Sequence, residues 1–264
     1  MLLVMDVGNT NISCGIFDGE ELVARFRFIT KQTKTSDEFA LQIHAILEVK
    51  HLKEDDIDGI VLSSVVPTLN DNLISAIKQL FDKEPLMVAS GIKTGLKVNT
   101  DDPKSVGADL IVDAVAAYQK YKRDCLVVDF GTATKFLYIG DGGVFQYAVI
   151  APGLEIYANS LWQMTAQLPA VQLKKPESIL AKNTVHSMQS GIMYGYIGLT
   201  EGIIKQIKEE IGHEFPILAT GGLGRYICPD TDLFDTYDPD LAYYGMKYLY
   251  KKNMGEEKWN SNNG

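Results

Sequence analysis

Two aspartates each stand two residues before a glycine at the end of an apolar run: Met1-Leu-Leu-Val-Met-Asp6-Val-Gly8-Asn9-Thr10-Asn11 and Cys125-Leu-Val-Val-Asp129-Phe-Gly131-Thr132-Ala-Thr134. A carboxylate in such a turn cannot donate to phosphate, but it can hold a hard cation, directly or through water, that neutralises phosphates. Gly8 and Gly131 lack a Cβ and let a bulky anion approach the backbone. The turn N–H groups and the hydroxyls of Thr10, Ser13, Thr132 and Thr134 can donate to its oxygens. A single Asp-x-Gly-x-Thr is also ordinary turn chemistry; two copies in 264 residues point to a phosphate site built twice. A third acid, Asp109 in Ser105-Val-Gly107-Ala108-Asp109, opens a predicted helix. The helix macrodipole favours any acid there. The same placement suits a carboxylate that accepts or orients the proton of a hydroxyl attacking a terminal phosphoryl group. His44, His51, His186 and His213 show no partner pattern, and the chain has neither a G-x-x-x-x-G-K-S/T loop nor an H-R-D set.

Positioning these residues requires strands that end at the two turns. Each apolar run bounded by its glycine reads as a buried strand, a tight turn and a returning strand, which implies two related half-molecules. In the first half, 22–28 continues the hairpin. Thr35-x-x-Glu38 then supplies a capping box for a helix with Phe39, Ile43, Ile46 and Leu47 on its apolar face. Residues 57–66 read as a central strand, followed by Pro67 at helix position N1 and by Leu69, Leu73, Ile77, Leu80 and Phe81 at helical spacing. A short strand at 85–89 and a helix at 107–121 complete this half. The polar stretch 119–124 marks the boundary, giving an N-terminal lobe 1–120 and a C-terminal lobe 121–254, with 255–264 too polar to expect order. The second half predicts strands near 125–139 and 143–151, a loop at Pro152-Gly153 and a long helix from near Thr184. A strand at 216–220 then runs into Thr220-Gly221-Gly222-Leu223-Gly224, and a helix starts near Pro239. On the long helix Gly191, Gly195, Gly198 and Gly202 share one face. Each costs about 1 kcal/mol against alanine, so a closely packed partner backbone is expected: another helix of this chain, or a second subunit.

The composition, 46% hydrophobic and 22% charged, is that of a soluble globular protein, and the net charge of −9 argues against nucleic-acid binding. The few apolar residues before Asp6 are too short for a signal sequence, and no run approaches the roughly eighteen apolar residues of a membrane span. A cytoplasmic location is expected, without membrane association. Cys14, Cys125 and Cys228 are far apart and form neither a zinc motif nor a disulfide framework.

The paired Asp-x-Gly hairpins resemble those of the superfamily of actin, the sugar and acetate kinases and the heat-shock ATPases. Within it, eight blocks together resemble type III pantothenate kinases: Asp6-Val-Gly-Asn-Thr-Asn11, Ile92-Lys-Thr-Gly-Leu96, Val106-Gly-Ala-Asp109, Asp129-Phe-Gly-Thr-Ala-Thr134, Ala151-Pro-Gly-Leu154, Lys182-Asn-Thr-Val185, Met188-Gln-Ser-Gly191 and Ala219-Thr-Gly-Gly222. The resemblance implies an α/β fold of two related ribonuclease-H-like lobes, each a mixed sheet flanked by helices, with the active site in the cleft between them. The implied reaction moves the γ-phosphate of ATP to the 4′-hydroxyl of pantothenate, the first step toward coenzyme A, with magnesium and a monovalent cation, potassium or ammonium. By match of motif, Asp6, Val7, Gly8, Asn9, Thr10, Asn11, Ile12 and Ser13 would cradle the ATP phosphates, with Asp6 on magnesium. Gly131 and Thr132 would contact ATP, and Gly221 and Gly222 would lie near the adenosine. Asp109 would be the base; Thr100, Gly107, Ala108, Leu110 and Thr184 would line the pantothenate site, and Asp129 would hold the monovalent cation. A homodimer is implied as well.

Five positions depart from the family pattern. Leu110 stands where an Arg usually follows the acid, Lys135 where a Thr is usual, Tyr147 and Ala148 where a Gly-Gly pair is usual, and Thr100 where a Tyr is often found. They keep open a second function, a non-catalytic or altered-specificity homologue that binds nucleotide or a pantothenate-like ligand. For Lys135 two placements are open: beside Asp129, its ammonium standing in for the monovalent cation, or out in solvent beyond the turn, the plainer expectation.

Overall fold

In the computed structural model, which describes residues 1–30 and 34–255, β1 (Leu2–Val7), β2 (Asn11–Asp18) and β3 (Glu21–Ile29) form an antiparallel meander. After α1 (Ser36–Val49) the chain adds β4 (Gly59–Ser64) parallel to β1, and after α2 (Pro67–Phe81) it adds β5 (Leu86–Met87) parallel to β4. The sheet order is therefore β3-β2-β1-β4-β5. The expected capping box at Thr35 and Glu38 is present, and Pro67 opens α2. A two-residue strand, β6 (Lys97–Val98), precedes α3 (Ala108–Tyr121).

Strand alternation decides which helices cover which face. Leu3, Met5 and Val7 are fully buried against Phe39, Ile43 and Leu47 of α1 and Leu69, Leu73 and Ile77 of α2. Each such side chain contributes about 1.5–3 kcal/mol of burial. Leu2 and Val4 point the other way, onto Val112 and Val115 of α3 and Met246 and Leu249 of the last helix, α6 (Leu241–Met254). Asp6 has the parity of Leu2 and Val4 and so belongs to the α3 face.

The chain divides into two compact units, Met1–Lys120 together with the stretch from Leu241, and Tyr121–Asp240. The C-terminal helix, expected in the second lobe, thus belongs to the first, because its apolar face is the cover of β1 and β4. Of the tail, residues 256–264 lie outside the described part of the chain.

In the second unit β7 (Cys125–Phe130), β8 (Ala133–Gly140) and β9 (Val144–Pro152) form a second antiparallel meander. Then come α4 (Leu154–Gln163), in the stretch expected to be a loop, and the 28-residue α5 (Thr184–Ile211). β10 (Ile217–Thr220) and β11 (Thr236–Tyr237) join in parallel on the far side of β7. Strand for strand, β9-β8-β7-β10-β11 repeats β3-β2-β1-β4-β5. The copy extends to detail: β1 and β7 are both six residues long with the acid fifth, and each meander carries one register shift, at Ile16/Phe17 and at Tyr138/Ile139. On the inner face Leu126, Val128 and Phe130 pack on Met188, Ile192, Met193 and Tyr196 of α5 and on Leu154 and Ala158 of α4. Among the described residues the glycines of α5 do not pack on the backbone of another helix. A Cβ at Gly191, Gly198 or Gly202 would meet nothing within 4 Å among the described residues, and at Gly195 only the Tyr157 hydroxyl at 3.1 Å.

Candidate active site

Within the first unit, the turn that follows β1 is closed by the Gly8 amide donating to the Asn11 carbonyl at 3.0 Å. A Cβ on Gly8 would stand 3.2 Å from that same carbonyl oxygen, so the tightness of the turn selects glycine. Thr30 reinforces it, its hydroxyl donating to the Gly8 carbonyl at 2.8 Å. Asp6 faces Ser13 across the hairpin and Ser63 across the parallel pair with β4. The Ser63 hydroxyl is fully buried and has no hydrogen-bond partner, an orphan polar atom on the face that carries Asp6. Burial, and after it the Asp6 charge, push the Cys14 thiol well above its ordinary value and leave it a small inert hydrophobe.

Asp109 reaches the same end of that sheet by a short chain of contacts. The Val65 amide, just past β4, donates to the Val7 carbonyl at 3.0 Å, and a Cβ on Gly107 would sit 3.8 Å from a Val65 methyl. Asp109 lies in the first turn of α3, one turn before Val112, which packs on the face of Leu2 and Val4. Its Oδ1 accepts from the Leu110 amide at 2.9 Å, which fixes the carboxyl orientation. Thr100 is a second orphan: its Oγ1 is buried and unbonded.

In the second unit two loops converge on the turn after β7. A Cβ on Gly153 would stand 2.2 Å from the Thr132 carbonyl oxygen, and one on Gly221 2.4 Å from Asp129 Oδ1 and 2.6 Å from the Phe130 backbone. Gly221 has φ +84, and the Leu223 amide ties the same loop to the Phe130 carbonyl at 3.1 Å. Lys135, expected to point into solvent, instead lies directly opposite Asp129 in the ladder. Its Nζ stands 2.6 Å from Asp129 Oδ2, with both side chains under 15% exposed.

Asp6 and Asp109 therefore lie toward the same end of the sheet in one unit, and Asp129, Gly131, Thr132 and Gly221 cluster in the other. Several expectations need correction. Val7 and Ile12 are fully buried in the core, so they can offer only backbone to a phosphate. Thr134, expected as a phosphate donor, is fully buried and bonded to the Tyr196 hydroxyl, which also donates to the Pro152 carbonyl at 3.2 Å. Thr184, expected as a pantothenate contact, is exposed at the start of α5, about 18 Å along the helix axis from Tyr196 at 1.5 Å per residue. A Cβ on Gly222 would meet nothing within 4 Å among the described residues. Ser63 and Tyr196 were missed: a lone serine in an apolar strand and a tyrosine in a long helix carry no local signal of a site.

The histidines serve as braces. His213 Nε2 lies 2.7 Å from Asp124 Oδ2, and His44 Nδ1 lies 2.5 Å from Glu54 Oε1. Among the described residues no cluster of three or more His, Cys, Asp or Glu side chains could hold a metal by itself. No described helix is long and apolar enough to cross a membrane.

Two sheets that share a five-strand order, each with an acid next to last in its first strand before a glycine turn, define a duplicated α/β fold. A Campylobacter jejuni protein described as a Baf family transcriptional activator superposes with TM-score 0.59 at 20% identity, covering 96% of this chain and 98% of that one. Component A of the (R)-2-hydroxyglutaryl-CoA dehydratase of Acidaminococcus fermentans follows with TM-score 0.54 at 15% identity, covering 97% and 98%. These likenesses show the fold alone.

The type III pantothenate kinase family model matches residues 2–206. The type III pantothenate kinase of Agathobacter rectalis is 46% identical over 253 residues, 96% of this chain and 97% of that protein. The chain belongs to the type III pantothenate kinase family.

Proposed function

We propose that this chain transfers the γ-phosphate of ATP to the 4′-hydroxyl of pantothenate, in the cytoplasm, as the first step toward coenzyme A. What supports the reading is that Asp6 and Asp109 both lie toward one end of one sheet, where one carboxylate can hold a cation and the other accept a proton.

The Gly8 turn receives phosphate oxygens through backbone N–H groups and the hydroxyls of Thr10 and Ser13, with Asn9 and Asn11 in the same turn. Asp6 would hold magnesium, and the buried, unbonded Ser63 hydroxyl across from it could bond a water of that ion. When bound, the ion neutralises phosphate charge. Asp109, its orientation set by the Leu110 amide, accepts the proton of the 4′-hydroxyl. Gly107 and Ala108 shape the approach to it, and the unbonded Thr100 hydroxyl supplies a polar contact to pantothenate. Gly131 and Thr132 contact ATP, the Gly221-Gly222 turn borders its adenosine, and Thr184 contacts the acceptor.

The donor set at Asp129 does not fit a dissolved monovalent cation, because Lys135 already engages the carboxylate. Leu110 also removes the charge-assisted contact of the family's arginine, worth about 1.5–3 kcal/mol, or roughly ten- to a hundredfold in acceptor affinity. A panel of hydroxy acids and amides tested against pantothenate therefore belongs in the assay.

Coupled turnover of ATP with pantothenate tests the proposal directly. Asp109→Asn is expected to lose at least about a hundredfold in kcat while still binding ATP. Absence of turnover by the parent protein, or full activity in Asp109→Asn, would overturn it. The second unit's open glycine face, flanked by exposed Val185, supports a homodimer closed through α5. Sedimentation should show two copies for the parent and one for Gly198→Arg.

A further inference from the structure

The two turns follow the same plan, an acid two residues before a glycine, but the residue that faces the acid across each hairpin differs in charge. In β1 and β2 the residue opposite the acid is Ser13; in β7 and β8 it is Lys135. Ser13 brings no charge of its own to the Asp6 carboxylate. The lysine places a tethered ammonium 2.6 Å from Asp129, where both side chains are largely out of water. The other carboxylate oxygen, Oδ1, faces the Gly221 turn, 2.4 Å from where a Cβ on that glycine would be. A partly buried carboxylate next to a polyphosphate repels it unless a positive charge is fixed beside it. Any dissolved ion would have to displace the ammonium first.

We infer that Lys135 is the resident cation of the second turn, a positioning residue that lets this chain work without a dissolved monovalent ion. The inference rests on the kinase reading of the same site. It departs from the cation requirement that the family resemblance implies.

The test compares the full chain with Lys135→Thr in choline, sodium, potassium and ammonium chlorides at one ionic strength. Melting of the nucleotide-free protein and turnover of ATP with pantothenate are both read. The parent should melt within about 1 °C in all four salts and keep its turnover within about twofold. Lys135→Thr should melt lower in choline, regain about 3 °C or more in potassium or ammonium, and show at least a tenfold turnover gain with the added ion. Lys135→Arg, which keeps the charge, should stay indifferent to the salt. A parent protein that gains several-fold in turnover or melts higher in potassium would overturn the inference. So would a Lys135→Thr protein that responds to the salts no more than the parent does. Should Lys135→Thr not fold, the parent and Lys135→Arg series decide. Should the parent turn over pantothenate in no salt, the kinase reading fails, and the melting series still decides the role of Lys135.

Discussion

Gly221→Ala is the sharpest single test of how the second turn is held. The residue sits at φ +84, where a side chain costs about 1–2 kcal/mol. The added methyl would lie 2.4 Å from Asp129 Oδ1 and 2.6 Å from the carbonyl carbon and oxygen of Phe130. The obstruction is mostly backbone, so it cannot be relieved by a rotamer change, and overpacking of this kind costs about 1–3 kcal/mol more. The sum, about 2–5 kcal/mol, corresponds to a fall of roughly 5–15 °C in Tm for a chain of this size. Because the loop is pushed off the turn, KM for ATP should rise about tenfold while KM for the acceptor changes little. Gly222→Ala is the control, since its Cβ would meet nothing within 4 Å and its φ is not left-handed; its Tm should change by no more than about 1 °C. Thermal melts of both variants alongside ATP titrations give the comparison. A Gly221→Ala protein as stable as Gly222→Ala would refute the reasoning.

Three further outcomes follow from contacts elsewhere. Tyr196→Phe strips the partner from the fully buried Thr134 hydroxyl and should cost about 1–3 kcal/mol by denaturant unfolding, with much of it recovered in Tyr196→Phe/Thr134→Val. At Asp124 burial opposes the charge, but bonds from His213, Arg123 and Tyr138 outweigh it and hold the carboxyl below its ordinary 3.8. Its stabilisation is thus full above the unfolded value and lost as pH falls through the folded one, so Asp124→Asn should flatten the acid limb of a stability–pH curve below about pH 4. Gly245→Ala would place a Cβ 2.2 Å from the Val112 carbonyl oxygen; helix propensity favours alanine by about 1 kcal/mol, yet separating α6 from α3 should leave a net loss of about 1–3 kcal/mol in a urea titration.

The features legible in the sequence were those with local causes. The strands of both hairpins, the capping box at Thr35 and the Pro67 helix start follow from periodicity, capping chemistry and the fixed φ of proline. Asp6, Asp109 and Asp129 stood out because an acid next to a glycine turn has a chemical purpose. What stayed hidden depends on partners distant in sequence. The apolar face of α6 reads the same whichever sheet it covers. Whether Lys135 turns toward Asp129 depends on pairing across the hairpin, which strand propensity leaves open. α4 begins after Pro152-Gly153, a dipeptide that reads as a loop, and the need for glycine there comes from the Thr132 carbonyl rather than from the turn itself.

The return of α6 to the first unit has a consequence for the order in which the protein matures on the ribosome. Leu2 and Val4 emerge first, yet Met246 and Leu249, which bury them, are made only after all of 121–240. The second unit can fold while the first still shows an uncovered greasy strip, so the nascent chain carries its greatest aggregation hazard at its oldest residues. Release of a chain stopped near residue 240 would make that hazard permanent.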